Sequence, residues 1–338
     1  MRPSKTSNKT DLAALWQTRG PLVWLLLFPA LIFFLLSALR RAAYRLGLLA
    51  VVRLPVPVVV VGNITAGGAG KTPVTLYLAQ RLAAAGRRPG IVSRGYGGAG
   101  LVAEVLPDSD PAQVGDEPLL LRRRAACPVF VGRDRGEAGK ALLAAHPQCD
   151  VILCDDGLQH LALGRDVEIA VLDRRGVMNA LPLPAGPLRE PVSRLHSVDA
   201  LVLNGLGTAP SPRPKPFFMV LEGASFYRLD DPSVRCDAAA LTGLKLHALA
   251  GIGEPQRFFD HLSRLGLTFE AHGFPDHHDY TGSDLALRGD ALLTTEKDAV
   301  KFAALAPGLP VWVLPVEARI DPDLARFVLE KLDGSPSA

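Results

Sequence analysis

The chain has 338 residues, 48% of them apolar and 21% charged, and a net charge of +3; at roughly 100–200 residues per domain it has room for two or three domains. Its 32 Gly and 28 Pro exceed ordinary usage but fall short of a low-complexity chain, which excludes disorder throughout. The charge is uneven: residues 1–50 carry seven Lys or Arg against the single acid Asp11, a balance of +6, and the remainder is −3. A nucleic-acid binder would spread positive charge over its folded body, so no nucleic acid is expected as partner. A basic N-terminus points instead to an anionic membrane surface.

The first predicted element runs from Leu22 to Leu39 without a charge, interrupted only by Pro29 and Ser37. As a helix it would be about 27 Å long, barely a span. It exceeds the apolar region of a signal peptide, and Arg40-Arg41 stand where a small-residue cleavage site would lie. It is apolar on every face, unlike a packed surface helix. Lipid contact is the expectation. Arg2, Lys5, Lys9 and Arg19 precede the run and Arg40, Arg41, Arg45 and Arg53 follow it, so the charges give no orientation. A tilted span and a helix kinked at Pro29 that dips into one leaflet both fit.

After Leu54-Pro55-Val56-Pro57 comes a β-branched run, Val58 to Val61, then Gly62-Asn63-Ile64-Thr65-Ala66-Gly67-Gly68-Ala69-Gly70-Lys71-Thr72 and an Ala/Leu-rich stretch to Ala85. This order predicts strand, glycine loop, helix. The backbone N–H groups of Thr65 to Thr72 would wrap a triphosphate at a helix N-terminus, with Lys71 on the β/γ oxygens and the Thr72 hydroxyl on Mg²⁺. Thr65 stands where the generic P-loop has its first glycine. A second strand ending in an acid should help hold the metal, and Val151 to Asp156 supplies Asp155 and Asp156. Either of the two fits that role, and Glu117 is a further metal candidate. The cofactors expected are thus ATP and Mg²⁺.

Further strands at Gly90–Val92, Pro128–Val131 and Val167–Leu172 keep the alternation of a doubly wound α/β sheet. Loops at the strand ends should form the site. They hold Ser93-Arg94-Gly95-Tyr96-Gly97-Gly98, Val114 to Pro118, Gly132-Arg133-Asp134-Arg135 and Asp155 to His160. So much Arg and Asp at one sheet edge suits an anionic substrate and a base. Arg94, Arg133, Arg135 and Arg189 are phosphate-binding candidates because guanidinium forks match phosphate oxygens, and Asn179 is counted with them as substrate-binding. Cys127, Cys149, Cys154 and Cys236 show no metal-like spacing and read as reduced thiols of a cytosolic compartment.

The motifs Val61 to Thr65 with Gly67 to Pro73, Ser93 to Gly97, Val114 to Pro118, Asp155 to His160, Leu183 to Pro191 and Thr295-Glu296-Lys297-Asp298 together resemble the tetraacyldisaccharide 4'-kinases, the lipid A 4'-kinases of Gram-negative bacteria. Thr65 fits that family's loop. The resemblance covers nearly the whole chain. It implies ATP-dependent phosphorylation of the 4'-hydroxyl of a tetraacylated glucosamine disaccharide 1-phosphate on the cytoplasmic face of the inner membrane, with no obligate protein partner. It also implies Asp116 as general base, paired to a His of Pro275-Asp276-His277-His278-Asp279-Tyr280, for which His277 is chosen over His278. Lys71 completes the catalytic set.

On this reading the chain divides into a membrane-associated segment, 1–53, a P-loop kinase domain, 54–207, a linker, 208–240, and a smaller C-terminal α/β domain, 241–338. The linker opens with the proline-rich Thr208 to Pro216 and is expected to pair Phe217–Leu221 with Phe226–Arg228 as a small sheet. Asp116 and His277 would then meet only on domain closure, which excludes water from the phosphoryl group. A membrane-associated P-loop switch ATPase acting on protein partners is the competing function. Such switches carry a Lys where this chain has Ala66. A kinase for a soluble sugar would leave the apolar N-terminus without a purpose.

Overall fold

The computed structural model describes residues 15–95, 100–205, 214, 216–302 and 305–334. Arg2, Lys5, Lys9, Asp11, Tyr96, Gly97, Gly98 and most of the proline-rich segment, 208–213 and 215, lie outside them.

Two helices come first, α1 (Pro21–Leu25) and α2 (Leu27–Arg45). The kink expected at Pro29 is corrected: the break falls at Leu26, and Pro29 is the third residue of α2. A first-turn position has no intrahelical acceptor to lose, so proline is tolerated there. Of the 19 residues of α2, Ala30 alone is buried, whereas Phe28, Leu31, Leu35, Leu36 and Leu39 are exposed. A core helix would bury most of these side chains, so α2 is not one. Val23 and Ala30 dock instead on Ala185, in a small apolar cluster with Leu15, Leu26, Leu27 and Leu181.

The main sheet has nine strands. Its central strand β1 (Val58–Gly62) is flanked by β5 (Val151–Asp155) and β6 (Val167–Asp173), both parallel to it. Beyond β5 lie β2 (Pro89–Ser93), β4 (Val129–Val131) and the antiparallel β3 (Ala103–Glu104). On the other side, past β6, lie β7 (Ala200–Asn204), β8 (Pro216–Glu222) and the antiparallel β15 (Glu317–Asp321). Every residue of β1 is buried. Val59 and Val61 face one apolar cluster and Val58 and Val60 the other, which is why the strand reads as an unbroken Val run and not as an alternation. Helices α3 (Lys71–Ala84) and α4 (Asp116–Ala125) cover one face, and α5 (Arg135–Ala145) the other.

The second sheet has six strands in the order β10, β9, β14, β13, β11, β12. They are β9 (Ser225–Arg228), β10 (Arg235–Asp237), β11 (Leu246–Ala250), β12 (Phe269–Gly273), β13 (Ala291–Thr295) and β14 (Val311–Leu314), joined by helices α6 (Pro255–Arg264) and α7 (Glu296–Phe302). The expected linker sheet is corrected here. Phe217–Leu221 lies in β8 of the main sheet and Phe226–Arg228 in β9 of the second, where β9 pairs with β10 and β14. Nor does everything after residue 241 share one sheet: β15 pairs with β8, and α8 (Leu324–Asp333) buries Leu324, Ala325, Val328 and Leu332 in the main core. The parallel β7–β8 edge still had unpaired backbone groups to satisfy, and β15 supplies the ladder.

Candidate active site

At the C-terminal end of β1 the chain leaves the sheet at Gly62, which lies against Leu158: a Cβ there would meet Leu158 atoms at 2.8 Å. Gly67 (φ 100°) and Gly70 (φ 94°) then take left-handed backbone that glycine adopts without strain. At Gly70 a Cβ would also sit 2.5 Å from Asn204 Nδ2. Helix α3 starts at once with Lys71 and Thr72. The expected cradle of Thr65 to Thr72 is narrowed at its first residues. The Ala66 N–H donates to the Pro187 carbonyl at 2.8 Å, and Thr65 bridges to Leu188. The Ala66 N–H is thereby engaged by the Leu183–Pro191 segment, which leaves Gly67 to Thr72 as the candidate part of the loop.

The acidic pair divides its work. Asp155 is turned under α3, where it accepts from Thr75 Oγ1 at 2.8 Å. Burial, with the neighbouring Glu117 and Asp156 charges, pushes its carboxyl up to about 7. Asp156, at φ 48°, faces the cleft, 3.6 Å from Lys71 Nζ and 3.3 Å from Arg189. Against the burial that would raise it, Lys71 and Arg189 hold Asp156 below the usual carboxylate range. The Asp156 carboxylate beside Lys71 and the start of α3 fits a hard divalent cation, which takes oxygen ligands.

Asp116 is the first residue of α4, and a carboxylate is favoured at a helix N-terminus. Its Oδ2 lies 3.1 Å from His277 Nδ1 and 3.3 Å from Lys301 Nζ. Burial would raise Asp116, but the His277 hydrogen bond and the Lys297 and Lys301 charges hold it far below the usual range. The same hydrogen bond raises His277, against burial and the Lys297 charge. His277 therefore pairs with Asp116, while His278 stacks on Phe274 and lies 3.4 Å from Asp284.

Lys297 and Lys301, four residues apart on α7, present both ammonium groups to one side. Lys297 stands in the Thr295-Glu296-Lys297-Asp298 motif, but no local pattern in the sequence assigns it a role. Lys297 Nζ reaches Glu117 at 2.9 Å, Asp276 at 3.0 Å and His277 Nε2 at 3.3 Å. Glu117, expected on the metal, is thus engaged by a lysine of α7. Further contacts across the two sheets join Arg257 to Asn204 at 2.7 Å and Arg124 to Glu296.

One cleft of about 930 Å³ gathers Gly67, Gly68, Lys71, Arg94, Asp116, Glu117, Arg133, Arg135, Asp156, Arg189 and His277. Arg135 is buried and donates to the Asp156 carbonyl at 3.3 Å, and its Nε has no hydrogen-bond partner among the described residues. Asn179 is not among the lining residues, which corrects its place with the substrate candidates. Its Nδ2 donates to the Ala185 and Thr18 carbonyls at 3.0 and 3.3 Å, and its Oδ1 accepts from Leu181 N at 3.2 Å. Both polar atoms of its amide thus have protein partners, one of which, Thr18, belongs to the N-terminal segment. The cleft also takes in Phe33, Ser37, Arg40 and Arg41 of α2, which the sequence did not single out for it, together with Gln159 and His160 of an expected site loop and Glu190 and Asp276 of the quoted motifs. Arg40 Nη1 donates to the Gln159 carbonyl at 3.1 Å. Burial and Arg135 push His160 down to about 4, so it stays neutral.

A family model described as Tetraacyldisaccharide-1-P 4'-kinase matches residues 22–333. The chain belongs to that family. A Tetraacyldisaccharide 4'-kinase of Azoarcus sp. (strain BH72) is 52% identical over 329 residues, 96% of either chain. Another, of Dechloromonas aromatica (strain RCB), is 54% identical over 321 residues, 94% of either chain. The crystal structure of an "apo" form of LpxK from Aquifex aeolicus in complex with ATP is similar at a TM-score of 0.79 and 30% identity, over 92% of this chain and 99% of that one. As a tetraacyldisaccharide 4'-kinase family member the chain is an ATP-using enzyme of the kinase class, and the fold class expected from its motifs is the one found.

Proposed function

We propose that the chain transfers the γ-phosphoryl group of ATP to the 4'-hydroxyl of a tetraacylated glucosamine disaccharide 1-phosphate, at the cytoplasmic face of the inner membrane. One observation carries the reading: the cleft that holds Lys71, Asp156 and the Asp116–His277 pair has α2 for a wall, through Phe33, Ser37, Arg40 and Arg41. A substrate with four acyl chains leaves a bilayer only at about 0.8 kcal/mol per methylene. An enzyme that acts on it gains by carrying its own apolar surface to the lipid, and α2 exposes Phe28, Leu31, Leu35, Leu36 and Leu39 beside the site.

In this reading Asp116 takes the proton of the 4'-hydroxyl, and His277 orients the carboxylate and shares the charge that follows. Gly67 to Thr72 hold the triphosphate through backbone N–H groups, with Lys71 on its β/γ oxygens. Mg²⁺, held by Asp156 and Thr72, would neutralise charge developing on the phosphoryl oxygens. Arg189 and Arg135 flank Asp156 and suit phosphate oxygens, with Arg94 and Arg133 on the same cleft. His277 comes from the loop after β12, Lys297 from α7, and Asp116 and Glu117 from α4, so elements packed on the two sheets close on one site and exclude water as a competing acceptor.

The test is transfer of labelled γ-phosphate from ATP to a tetraacyl-disaccharide 1-phosphate in detergent micelles, with wild type, Asp116→Ala and Lys71→Ala compared. Labelled lipid from the wild type alone supports the reading. ATP hydrolysis that ignores added lipid, with no labelled lipid, overturns it in favour of a switch ATPase.

A further inference from the structure

Away from the cleft, three potential ligands meet at the edge of the second sheet. β11 and β12 are parallel, with His247 opposite Glu270 and Leu249 opposite His272. Residues two apart on a strand share a face, so Glu270 and His272 both stand beside His247. His247 Nδ1 lies 3.1 Å from His272 Nε2 and 3.5 Å from Glu270 Oε2, and the three ligand atoms lie within 4.8 Å of one another.

The Nε2 of the buried His247 is 3.2 Å from the Arg288 carbonyl, which can only accept, so Nε2 is the donor there and Nδ1 is the ring nitrogen that faces His272. The neighbouring Gly289 lets the loop close over that ring: a Cβ there would meet His247 Nε2 at 3.1 Å and the Lys245 carbonyl at 2.6 Å. An imidazole whose far nitrogen is bound to a backbone carbonyl is the usual outer support of a metal ligand. Two imidazole nitrogens about 2.0–2.1 Å from a tetrahedral zinc ion stand about 3.3 Å apart. The spacing found here is within a few tenths of an ångström of that value.

We propose that His247, His272 and Glu270 form a binding site for a divalent transition-metal ion of the zinc class, with its fourth position open to water. Two imidazoles and one carboxylate suit such an ion better than the oxygen-seeking Mg²⁺ of a nucleotide site. The ion would clamp the edge strand β12 to β11. β12 leads within five residues from His272 to His277, so the clamp lies on the strand that delivers the cleft's histidine.

The probe is Co²⁺, titrated into the full-length chain in detergent micelles without nucleotide and followed by its visible d–d absorption. The wild type should take up one ion in a tetrahedral environment, with a band retained in His277→Ala, which tests for capture in the cleft. His272→Ala should lose the band, and Glu270→Gln, an exposed change that leaves folding intact, should weaken binding about tenfold or more. Zn²⁺ should raise the melting temperature of the wild type and not of His272→Ala. An absent band, or a spectrum and stoichiometry unchanged in both variants, overturns the proposal and leaves a histidine–histidine hydrogen bond.

Discussion

His277 Nδ1 lies 3.1 Å from Asp116 Oδ2 although the two residues are 161 positions apart in the chain. That contact joins the N-terminus of α4 to the loop after β12, and so joins the two sheets. If the pair acts as a unit, Asp116→Ala and His277→Ala each lower kcat by about 10²–10⁴-fold. The double variant should then be little worse than the weaker single one. A double defect equal to the product of the single defects would show that the two act independently.

The same pair gives the protein a pH signature. Asp116 is depressed from 3.8, so its contribution to stability is complete above 3.8 and disappears as pH falls through its folded value. His277 is raised from 6.5, so its contribution is complete below 6.5 and is lost as pH rises through its folded value. Between 3.8 and 6.5 both are present. The difference in melting temperature between wild type and His277→Gln should therefore be largest in that window and shrink above neutrality. A difference that grows with rising pH would contradict the assignment.

Lys71 and Asp156 face each other across the start of α3, 3.6 Å apart. Lys71→Ala and Asp156→Asn are each expected to lower lipid phosphorylation by about 10²–10³-fold, the usual loss when one preorganised group is removed from a site of developing charge. Near-wild-type melting temperatures for both would place the loss in the chemistry. Full turnover in Asp156→Asn would remove that residue from the site.

Asn179 gives the opposite expectation. Its amide holds Thr18, Leu181 and Ala185, so Asn179→Ala should destabilise the docked N-terminal segment by about 1–3 kcal/mol. KM for ATP should stay unchanged, and limited proteolysis should cut earlier near residues 15–20. A changed KM with normal protease resistance would return Asn179 to the ligand-binding set.

Membrane attachment is the last expectation. Leu35→Asp with Leu36→Asp should abolish sedimentation with vesicles, since both side chains are exposed on α2. Arg40→Glu with Arg41→Glu should weaken binding to anionic vesicles by about 1 kcal/mol per charge at low salt and hardly at all to neutral ones. Equal binding by all variants would move the membrane contact elsewhere.

The main sheet was legible because its signals are local. A buried parallel strand must be apolar on both faces, so Val58–Val61 announces itself, and a phosphate loop needs glycine at the left-handed positions that Gly67 and Gly70 occupy. The Leu183–Pro191 segment was legible as a motif, yet its mechanical work was not. It ties Ala66 to Pro187, turns Arg189 onto Asp156 and seats Val23 and Ala30 on Ala185. None of those contacts leaves a periodicity in the sequence.

By itself, the sequence determined the nucleotide loop, the apolar basic-flanked N-terminus and the strand–helix alternation, because each is written in neighbouring residues. Tertiary structure decided what depends on long-range pairing. It sent β8 and β9 to different sheets and returned residues 317–333 to the first one. It turned Asp155 inward and Asp156 outward, and it placed Lys297 between Glu117, Asp276 and His277. Backbone hydrogen-bonding capacity and buried charge must be satisfied by whichever groups the fold brings near, and adjacency along the chain does not say which those are.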